Sequence, residues 1–502
     1  NTTWNRLPKK RDFATNIILP NVLNGLKVLR RANIKSNARV ILMMKKMFKL
    51  DRSLFKVTTS IGTIGFFSLA FPILFESIMT YLLGTVHTVL LSSYSENSVA
   101  AVGAANTLIN MFSLLCSVIA TGATVVISNH IGGERLKSAE ETSFTGIAVS
   151  VSVSVILIPV ILLLGSGMIS LLNLKNTIAA EASVYLKIRM SFLLFQAVTG
   201  MLLAIFRSYG YPKYTLIVNT FVNICNITLA TIIVYFPEYS PLTGVSGLAA
   251  ACVICQFFGL ILTVYIAYRI KIKLSIPKSI GAFFMHLKKL LCIGVPAGMS
   301  SASLTVSQLV NTSFVAMIGD YALSAQIYFS TIASYVYLFS NSAGTANSIM
   351  IGRLCGAKKF ERADMTNRQL IRMTTVINFI VSVIILIARY PILSIFTNNR
   401  LIFAMAAYIL AIDIIAEQAR AVSQVYEYAL RAAGDVIFSL IFTTASCWIF
   451  SISLSYILAI KCSMGLVGCW IGIAADESVR AISTYLRWQY LFGRKRIKYS
   501  SN

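Results

Sequence analysis

Thr142–Leu172, TSFTGIAVSVSVSVILIPVILLLGSGMISLL, contains no acidic or basic side chain over its whole length. A helix needs about 20 mostly apolar residues to cross the roughly 30 Å of hydrocarbon in a bilayer, so this stretch predicts a membrane span. The composition of the whole chain agrees. Of its 502 residues, 57% are hydrophobic and only 12% are charged, whereas soluble domains carry about 25% charge. These values exclude a soluble multidomain protein and a disordered chain, and they predict an all-α polytopic membrane protein.

Eleven further apolar stretches bring the prediction to twelve transmembrane helices. In chain order the twelve lie at Ile61–Leu91, Val99–Ile127, Thr142–Leu172, Ala179–Arg207, Tyr214–Tyr235, Val245–Arg269, Leu287–Ile318, Ala322–Ile351, Ile371–Ala388, Ala404–Arg431, Ile437–Ile460 and Leu466–Leu491. We divide the chain accordingly into a basic N-terminal arm (1–56), an N-lobe (57–270), a linker (271–290), a C-lobe (291–491) and a basic tail (492–502).

The basic residues are concentrated in every second loop, and these loops lie on the same side of the membrane. Lys and Arg outnumber Asp and Glu by 44 to 18, a net charge of +26. The cations gather in the arm and in the loops 129–141, 268–290 and 352–372, which fall on one side if the twelve spans alternate. Lys and Arg in short loops stay on the cytoplasmic side of a membrane. We therefore expect a protein of the plasma (inner) membrane with both termini in the cytoplasm. This topology explains the net charge, so we expect the lipid bilayer and no nucleic acid as a partner.

The two halves of the chain repeat each other at an offset of 224 residues. The matched pairs are Pro72 with Pro296, Gly132 with Gly356, Ala139 with Ala363, Arg207 with Arg431 and Gly210 with Gly434, and at an offset of 221 Gly244 matches Gly465. Six spans per half is an even number, so both halves insert in the same sense. The pattern predicts two six-helix lobes related by a pseudo-two-fold axis along the membrane normal, with a site between them.

Each half has a proline in its first span. Pro72 and Pro296 each remove a helical hydrogen bond, so we predict hinges at both positions.

Several short segments form a pattern in their order and spacing over about 430 residues. They are Phe71-Pro72-Ile73, Ala100–Gly103, Ile127–Gly132, Arg207–Gly210, Asn226-Ile227, Gly294–Pro296, Ile351–Gly356, Leu430–Asp435 and the turns at Gly244 and Gly465. Considered together, they resemble the multidrug and toxic compound extrusion (MATE) family. The resemblance implies two lobes around a V-shaped cavity, and export of bulky, often cationic compounds in exchange for protons or sodium ions. The wider superfamily also contains polysaccharide and lipid-linked glycan flippases.

The chain departs from both branches of the family, DinF-like and NorM-like, so its branch stays open. The family commonly has an Asp where this chain has His87, and the DinF-like branch has a second Asp four residues after the Asn that corresponds to Asn226, where this chain has Ala230. The NorM-like branch has an acid in the seventh span, where this chain offers the polar Gln308 and Asn311. We retain Asn226 and Asn311 as candidate coupling or substrate residues.

Ionisable side chains at membrane depth are costly and usually face a cavity. Glu76 and His87 lie eleven residues apart in the first span, and at about 100° per residue they share one helix face. A carboxylate and an imidazole lining one lobe could exchange a proton, since His titrates near neutral pH. The alternative is an interface pair near a helix end.

The tenth span carries Asp413 and Glu417 on one face, with Arg420 nearly on it. Two acids facing one arginine leave a formal negative charge, which predicts a proton or cation site, with Na⁺ as the one metal to consider. The alternative is a satisfied cluster that holds helices together. We interpret Glu427 with Arg431, and Asp476 and Glu477 with Arg480, as structural pairs.

These features favour an antiporter that is driven by H⁺ or Na⁺ and exports drug-like organic compounds by alternating access. A lipid-linked glycan flippase is the alternative. No G-x-x-x-x-G-K-[ST] loop is present for ATP hydrolysis, and the three histidines form no H-E-x-x-H. We therefore expect no enzyme activity, no cofactor beyond the coupling ion, small organic molecules as substrates, and a monomer.

Overall fold

The computed structural model describes residues 53–94, 96–170, 175–235, 244–394, 397 and 399–500. Most of the predicted N-terminal arm, residues 1–52, lies outside the described residues. The described chain begins with a short antiparallel hairpin, β1 (Lys56–Thr59) and β2 (Gly62–Gly65), in which Thr59 pairs with Gly62. Every later secondary-structure element among the described residues is a helix.

The N-lobe contains helices α1 to α7 and the C-lobe α8 to α14. Their bounds are α1 Phe66–Tyr94, α2 Glu96–Gly132, α3 Leu136–Ser170, α4 Asn176–Ser191, α5 Leu193–Tyr209, α6 Pro212–Tyr235, α7 Gly244–Arg269, α8 Ile280–Ile318, α9 Asp320–Gly356, α10 Phe360–Ile387, α11 Arg389–Leu393, α12 Arg400–Ala432, α13 Val436–Ser446 and α14 Gly465–Ser500. π-Helical turns at Cys447–Leu454 and Ile457–Lys461 extend α13.

The helices account for the twelve predicted spans. Among the described residues, nine helical segments are long and apolar enough to cross a bilayer, and α4 with α5 makes a tenth, bent by 52°. The other two, α9 and α14, are 37 and 36 residues long but carry more polar side chains, several of which line the cavity described below. The predicted fold class, twelve spans in two six-helix lobes, is confirmed.

The ends of some elements differ from the prediction. The first span begins at Phe66 and not at Ile61, because the preceding residues pair as the β-hairpin. Helix α8 begins at Ile280, within the predicted linker, where the Ser279 hydroxyl accepts a hydrogen bond from the Ala282 amide at 3.1 Å. Helix α14 continues to Ser500, past the start of the predicted tail.

The repeat is visible in the backbone. Helices α5 and α12 both end at a left-handed glycine, Gly210 with φ 89° and Gly434 with φ 91°. Glu134 and Lys358, which follow α2 and α9, have φ values of 57° and 58°. Both pairs keep the 224-residue offset, so the two lobes turn the chain in the same way at equivalent places.

The lobes meet through equivalent residues where α2 and α9 end. A Cβ on Gly132 would lie 2.0 Å from the Arg353 carbonyl oxygen, and a Cβ on Gly356 would lie 2.0 Å from the Asn129 carbonyl oxygen. Only glycine allows two backbones to approach this closely. The pseudo-two-fold axis therefore passes between Gly132 and Gly356.

The same end is joined by two equivalent hydrogen bonds that cross between the lobes. Asn129 Nδ2 donates to the Ala432 carbonyl at the end of α12, at 3.1 Å. Arg353 Nη2 donates to the Ser208 carbonyl at the end of α5, at 2.7 Å. Each side chain thus satisfies a terminal carbonyl of the opposite lobe. We call these four residues, Asn129, Gly132, Arg353 and Gly356, the basic-end seal, since they lie at the end of the bundle where the cation-bearing segments 129–141 and 352–372 are.

Replacing Gly132 with Ala should destabilise the protein, because a backbone atom blocks the new methyl group and the helices must separate. We expect a cost of about 1–3 kcal/mol and a lower midpoint of thermal unfolding in detergent. Gly103→Ala on the same helix is the matched control, since its Cβ would meet no atom within 4 Å; better helix propensity should leave its midpoint unchanged or raise it. Equal midpoints for the two variants would contradict the close approach.

Candidate functional site

A polar cavity of about 540 Å³ lies inside the C-lobe. It is in the half of the bundle away from the basic-end seal, as its lining residues on α8, α9 and α14 show by their positions along those helices. Tyr81 of α1 reaches it from the N-lobe. The lining side chains used below are Ser307, Gln308, Asn311, Gln326, Tyr337, Arg420, Ser451, Trp470, Asp476, Glu477 and Arg480. A volume of about 300–1,000 Å³ is typical of sites for drug-sized ligands.

Charged side chains of α12 and α14 form one network on the cavity wall. Arg420 Nε donates to Glu477 Oε1 at 2.9 Å, and Arg480 Nη2 lies 2.5 Å from the same oxygen. Arg420 also pairs with Glu417, and Arg480 Nη2 lies 3.2 Å from Asp476 Oδ2. Glu477 is therefore shared by two guanidinium groups, and it connects two clusters that the sequence analysis treated as separate.

The network contains more carboxylates than guanidinium groups. Asp413, Glu417, Asp476 and Glu477 are four acids against Arg420 and Arg480. Asp413 and Glu417 are 4% and 0% exposed, and within the described part of the chain Asp413 Oδ1 and Glu417 Oε2 have no hydrogen-bond partner. An unpaired buried carboxylate is costly, so a proton or a cation would stabilise this arrangement.

Asn311 also belongs to the cavity wall. Its Nδ2 donates to the Ser451 hydroxyl at 3.0 Å, and the Ser307 and Ser451 hydroxyls lie 2.8 Å apart. Its Oδ1 is buried, and the described residues offer it no partner. Trp470 Nε1 donates to Gln326 Oε1 at 2.8 Å, which fixes an aromatic ring beside these polar groups.

The N-lobe candidates lie between two parallel helices, α1 and α6. Glu76 accepts hydrogen bonds from Arg207 Nη1 at 3.1 Å and from Thr215 Oγ1 at 3.0 Å. His87 Nε2 and Asn226 Oδ1 are 2.8 Å apart. The Glu76–Thr215 and His87–Asn226 contacts both join residues 139 positions apart, so they are two rungs on one pair of helices.

The shared face of Glu76 and His87 is borne out, but the two side chains do not meet. Eleven residues of helix place them about 16 Å apart along the axis, and each is bonded to a different partner. The side chains of Glu76 and Arg207 remain 15% and 20% exposed, so solutes can reach this pair. A direct proton exchange between Glu76 and His87 is therefore absent from this conformation.

The structural pairs behave as predicted within each helix. Arg431 bonds Glu427, and Arg480 bonds Asp476. The sequence analysis missed the partners that come from other helices, such as Arg207 for Glu76 and Arg420 for Glu477. Pro72 and Pro296 lie inside the continuous helices α1 and α8, and hinge motion at these positions stays a prediction.

Among the described residues, no group of three or more His, Cys, Asp or Glu side chains is arranged to hold a metal ion. A sodium ion at Asp413 and Glu417 would therefore need further oxygen ligands from hydroxyl, amide or backbone groups. Since a proton needs only one of these oxygens, the geometry accommodates either ion.

Glu477→Gln and Asp413→Asn should differ sharply in their effect on stability. The first removes the carboxylate that the buried Arg480 shares with the partly buried Arg420, and since each guanidinium keeps one other acid, the cost should be up to about 3–5 kcal/mol. The second removes a carboxylate whose Oδ1 lacks a partner, so its cost should be under about 1 kcal/mol or its effect stabilising. Thermal unfolding of both variants under one condition tests this, and a larger loss for Asp413→Asn would contradict the network.

Comparison with known proteins supports one family. A sequence profile described as MatE matches twice, at residues 72–232 and 296–457, once in each lobe. The "Uncharacterized transporter YisQ" of Bacillus subtilis is 33% identical over 428 residues, covering 85% of this chain and 94% of that protein. The "Probable multidrug resistance protein NorM" of Thermotoga maritima is 23% identical over 439 residues, covering 86% and 94%.

Solved structures agree with the fold. An outward-facing multidrug resistance MATE family transporter of the MOP superfamily gives a TM-score of 0.79 at 18% identity, covering 86% of this chain and 96% of that one. A MOP superfamily transporter from Pyrococcus furiosus, described as having a binding pocket of reverse polarity, gives a TM-score of 0.78 at 18% identity with the same coverage. Two profile matches at the spacing of the internal repeat, together with a relative aligned over most of its length, show that this chain belongs to the MatE family of membrane transporters.

Proposed function

We propose that this protein is an ion-coupled antiporter that exports bulky, cationic organic compounds by alternating access between its two lobes. The observation that carries the proposal is the C-lobe cavity, which has drug-like dimensions and more carboxylates than guanidinium groups on and behind its wall. Relatives named as probable multidrug resistance proteins support the export of drug-like compounds.

The cavity has the chemistry to recognise an organic cation. Tyr81, Tyr337 and Trp470 contribute aromatic rings to its lining. Aromatic faces attract cations, and desolvation strengthens that attraction. Arg420 already lies 5.9 Å from the centre of the Tyr337 ring, so this ring holds a cation even without a substrate. A positively charged substrate would find both rings and carboxylates there.

Coupling follows from competition for the same negative charge. Asp413 and Glu417 lie directly behind Arg420, and Glu417 pairs with it. A proton or Na⁺ bound at these acids would remove negative charge from the network and weaken the binding of a cationic substrate. Exchange of one cation for the other at this place is antiport, and it requires no cofactor beyond the ion gradient and no covalent step.

We propose that the protein lies in the plasma membrane, with the basic-end seal at the cytoplasmic end of the helix bundle. The basic loops adjoin this end, and short basic loops favour the cytoplasmic side. The cavity then lies in the outer half of the membrane, as expected for a transporter that is closed to the cytoplasm. Both termini would be cytoplasmic, and one chain suffices to build the site, so we expect a monomer.

A lipid-linked glycan flippase is less well supported. Its pyrophosphate substrate would require an excess of cationic side chains in the cavity. The C-lobe cavity has no such excess, because Asp476 and Glu477 on its wall balance Arg420 and Arg480, and two further acids lie behind the wall.

Neutralising Asp413 and Glu417 together should uncouple transport. The experiment uses proteoliposomes with an imposed proton or sodium gradient. In the double variant, the ion flux that depends on the organic cation should be at least about fivefold lower than in wild type, since coupling free energies are typically about 1–3 kcal/mol. The measurement is substrate-driven proton flux against sodium flux for wild type and Asp413→Asn/Glu417→Gln.

Glu361→Gln is the matched control, since this acid is exposed in the first turn of α10. It should leave the flux unchanged. Wild-type flux in the double variant would rule out this coupling site, and competition by a lipid-linked sugar in place of an organic cation would favour the flippase.

A further inference from the structure

The two lobes meet along two equivalent seams that are packed differently. In one seam, α2 packs on α8, and Cβ atoms on Gly294 and Gly298 would lie only 2.2 Å from the Val118 carbonyl oxygen and 2.3 Å from its Cγ2. In the other seam, α1 packs on α9. There the offset of 224 puts Ala70 and Leu74 where the first seam has its glycines. The first seam is therefore closed by backbone contact, and the second is held apart by side chains.

The second seam contains an apolar cavity of about 160 Å³. It is lined by side chains of α1, α9 and α10, among them Phe67, Phe71, Phe339, Met373 and Ile377. Ser342 also lines it, but its hydroxyl donates to the Leu338 carbonyl of its own helix at 2.7 Å. An apolar cavity of about 150 Å³ stays dry and accepts a benzene-sized group. Water is thus a poor occupant.

One side of this cavity opens to the outside of the helix bundle. Phe67 and Phe71 are 46% and 51% exposed, and their rings stack with centroids 5.9 Å apart. On a membrane span such rings face lipid. Lipid tails are as apolar as the rings, so a tail gains little from burial itself and gains instead from the contacts that it makes in an otherwise empty space.

The backbone of Lys56 and the first turn of α10, which carries Arg362, lie at one end of the same aromatic surface. The Phe67 ring is 5.6 Å from the ring of Phe55, which precedes Lys56 in β1. Arg362 Nη2 donates to the Lys56 carbonyl at 2.8 Å, so the first turn of α10 is held beside the hairpin. Met373 lies eleven residues further along α10, about 16 Å deeper. A headgroup at Lys56 and Arg362 would thus place its acyl chain at the depth of the cavity.

We propose that this seam binds an anionic phospholipid of the basic-end leaflet, with one acyl chain in the cavity and its phosphate at Lys56 and Arg362. The acyl chain of the lipid supplies the packing contacts that the close approach at Gly294 and Gly298 supplies in the equivalent seam. Because it is not covalently part of either lobe, it fills this seam while leaving the lobes free to move there.

Native mass spectrometry of the full chain tests the cavity half of this proposal. Protein taken from vesicles of phosphatidylcholine with phosphatidylglycerol should retain one more lipid than the Ala70→Phe variant, whose ring would occupy the space. Ser342→Leu should lose the same lipid. Leu163→Phe, at a side chain that is 80% exposed on α3, is the control and should retain it. Both filled variants should unfold at or above the wild-type temperature, which shows that they are folded. Equal lipid retention by wild type and both filled variants would overturn the proposal.

The headgroup half is tested with charge variants. Lys56→Gln and Arg362→Gln should each weaken retention of phosphatidylglycerol about fivefold, as expected for one cation near an anionic headgroup, and should leave phosphatidylcholine binding unchanged. Lys273→Gln, in the exposed linker, is the matched control. A variant that carries both Lys56→Gln and Arg362→Gln completes the test. If it still prefers phosphatidylglycerol as strongly as wild type, the assignment of the headgroup to Lys56 and Arg362 is wrong.

Discussion

The basic-end seal fixes the geometry of the whole molecule. Two backbones can touch at Gly132 and Gly356 only because neither residue has a side chain. The fully buried Arg353 has no ion-pair partner among the described residues. Its Nη2 donates to the Ser208 carbonyl, and its Nη1 donates to the Thr59 hydroxyl at 3.2 Å. These two hydrogen bonds exist only while the lobes are in contact, and losing them would leave a buried charge with still fewer partners. Closure at this end leaves room for a cavity at the other.

The charges inside the two lobes are arranged differently. In the N-lobe, Arg207 balances Glu76, and the contact between His87 and Asn226 forms a second, separate rung. In the C-lobe, Glu477 is shared by Arg420 and Arg480, while Asp413 and Glu417 each keep an oxygen without a partner in the described chain. This difference is why we place ion coupling in the C-lobe. It also agrees with the presence of His87 where the resemblance to the MATE family leads one to expect an aspartate.

Local patterns in the sequence predicted much of this structure. They did not predict contacts between residues that are far apart in the sequence. Hydropathy and the 224-residue repeat predicted the twelve spans, because apolar length and periodicity are properties of one helix at a time. For the same reason the pairs Glu427–Arg431 and Asp476–Arg480, four residues apart, were predicted. Glu76 and Arg207 are 131 residues apart, and only the packing of α1 brings them together. The hairpin was missed because Val57, Ile61 and Ile64 have the hydropathy of a helix start.

The central claim is that the lobes rock against each other, so that the basic-end seal breaks and its end opens as the opposite end closes. Spin-label distances test it most directly. In a background without native cysteines, one label pair would replace the exposed Lys137 and Glu361 at the basic end, and another the exposed Tyr235 and Lys461 at the opposite end. Our account predicts that an inward-directed ion gradient with substrate lengthens the first distance and shortens the second. Two distances that change in the same direction, or a basic-end distance that stays fixed during transport, would contradict it.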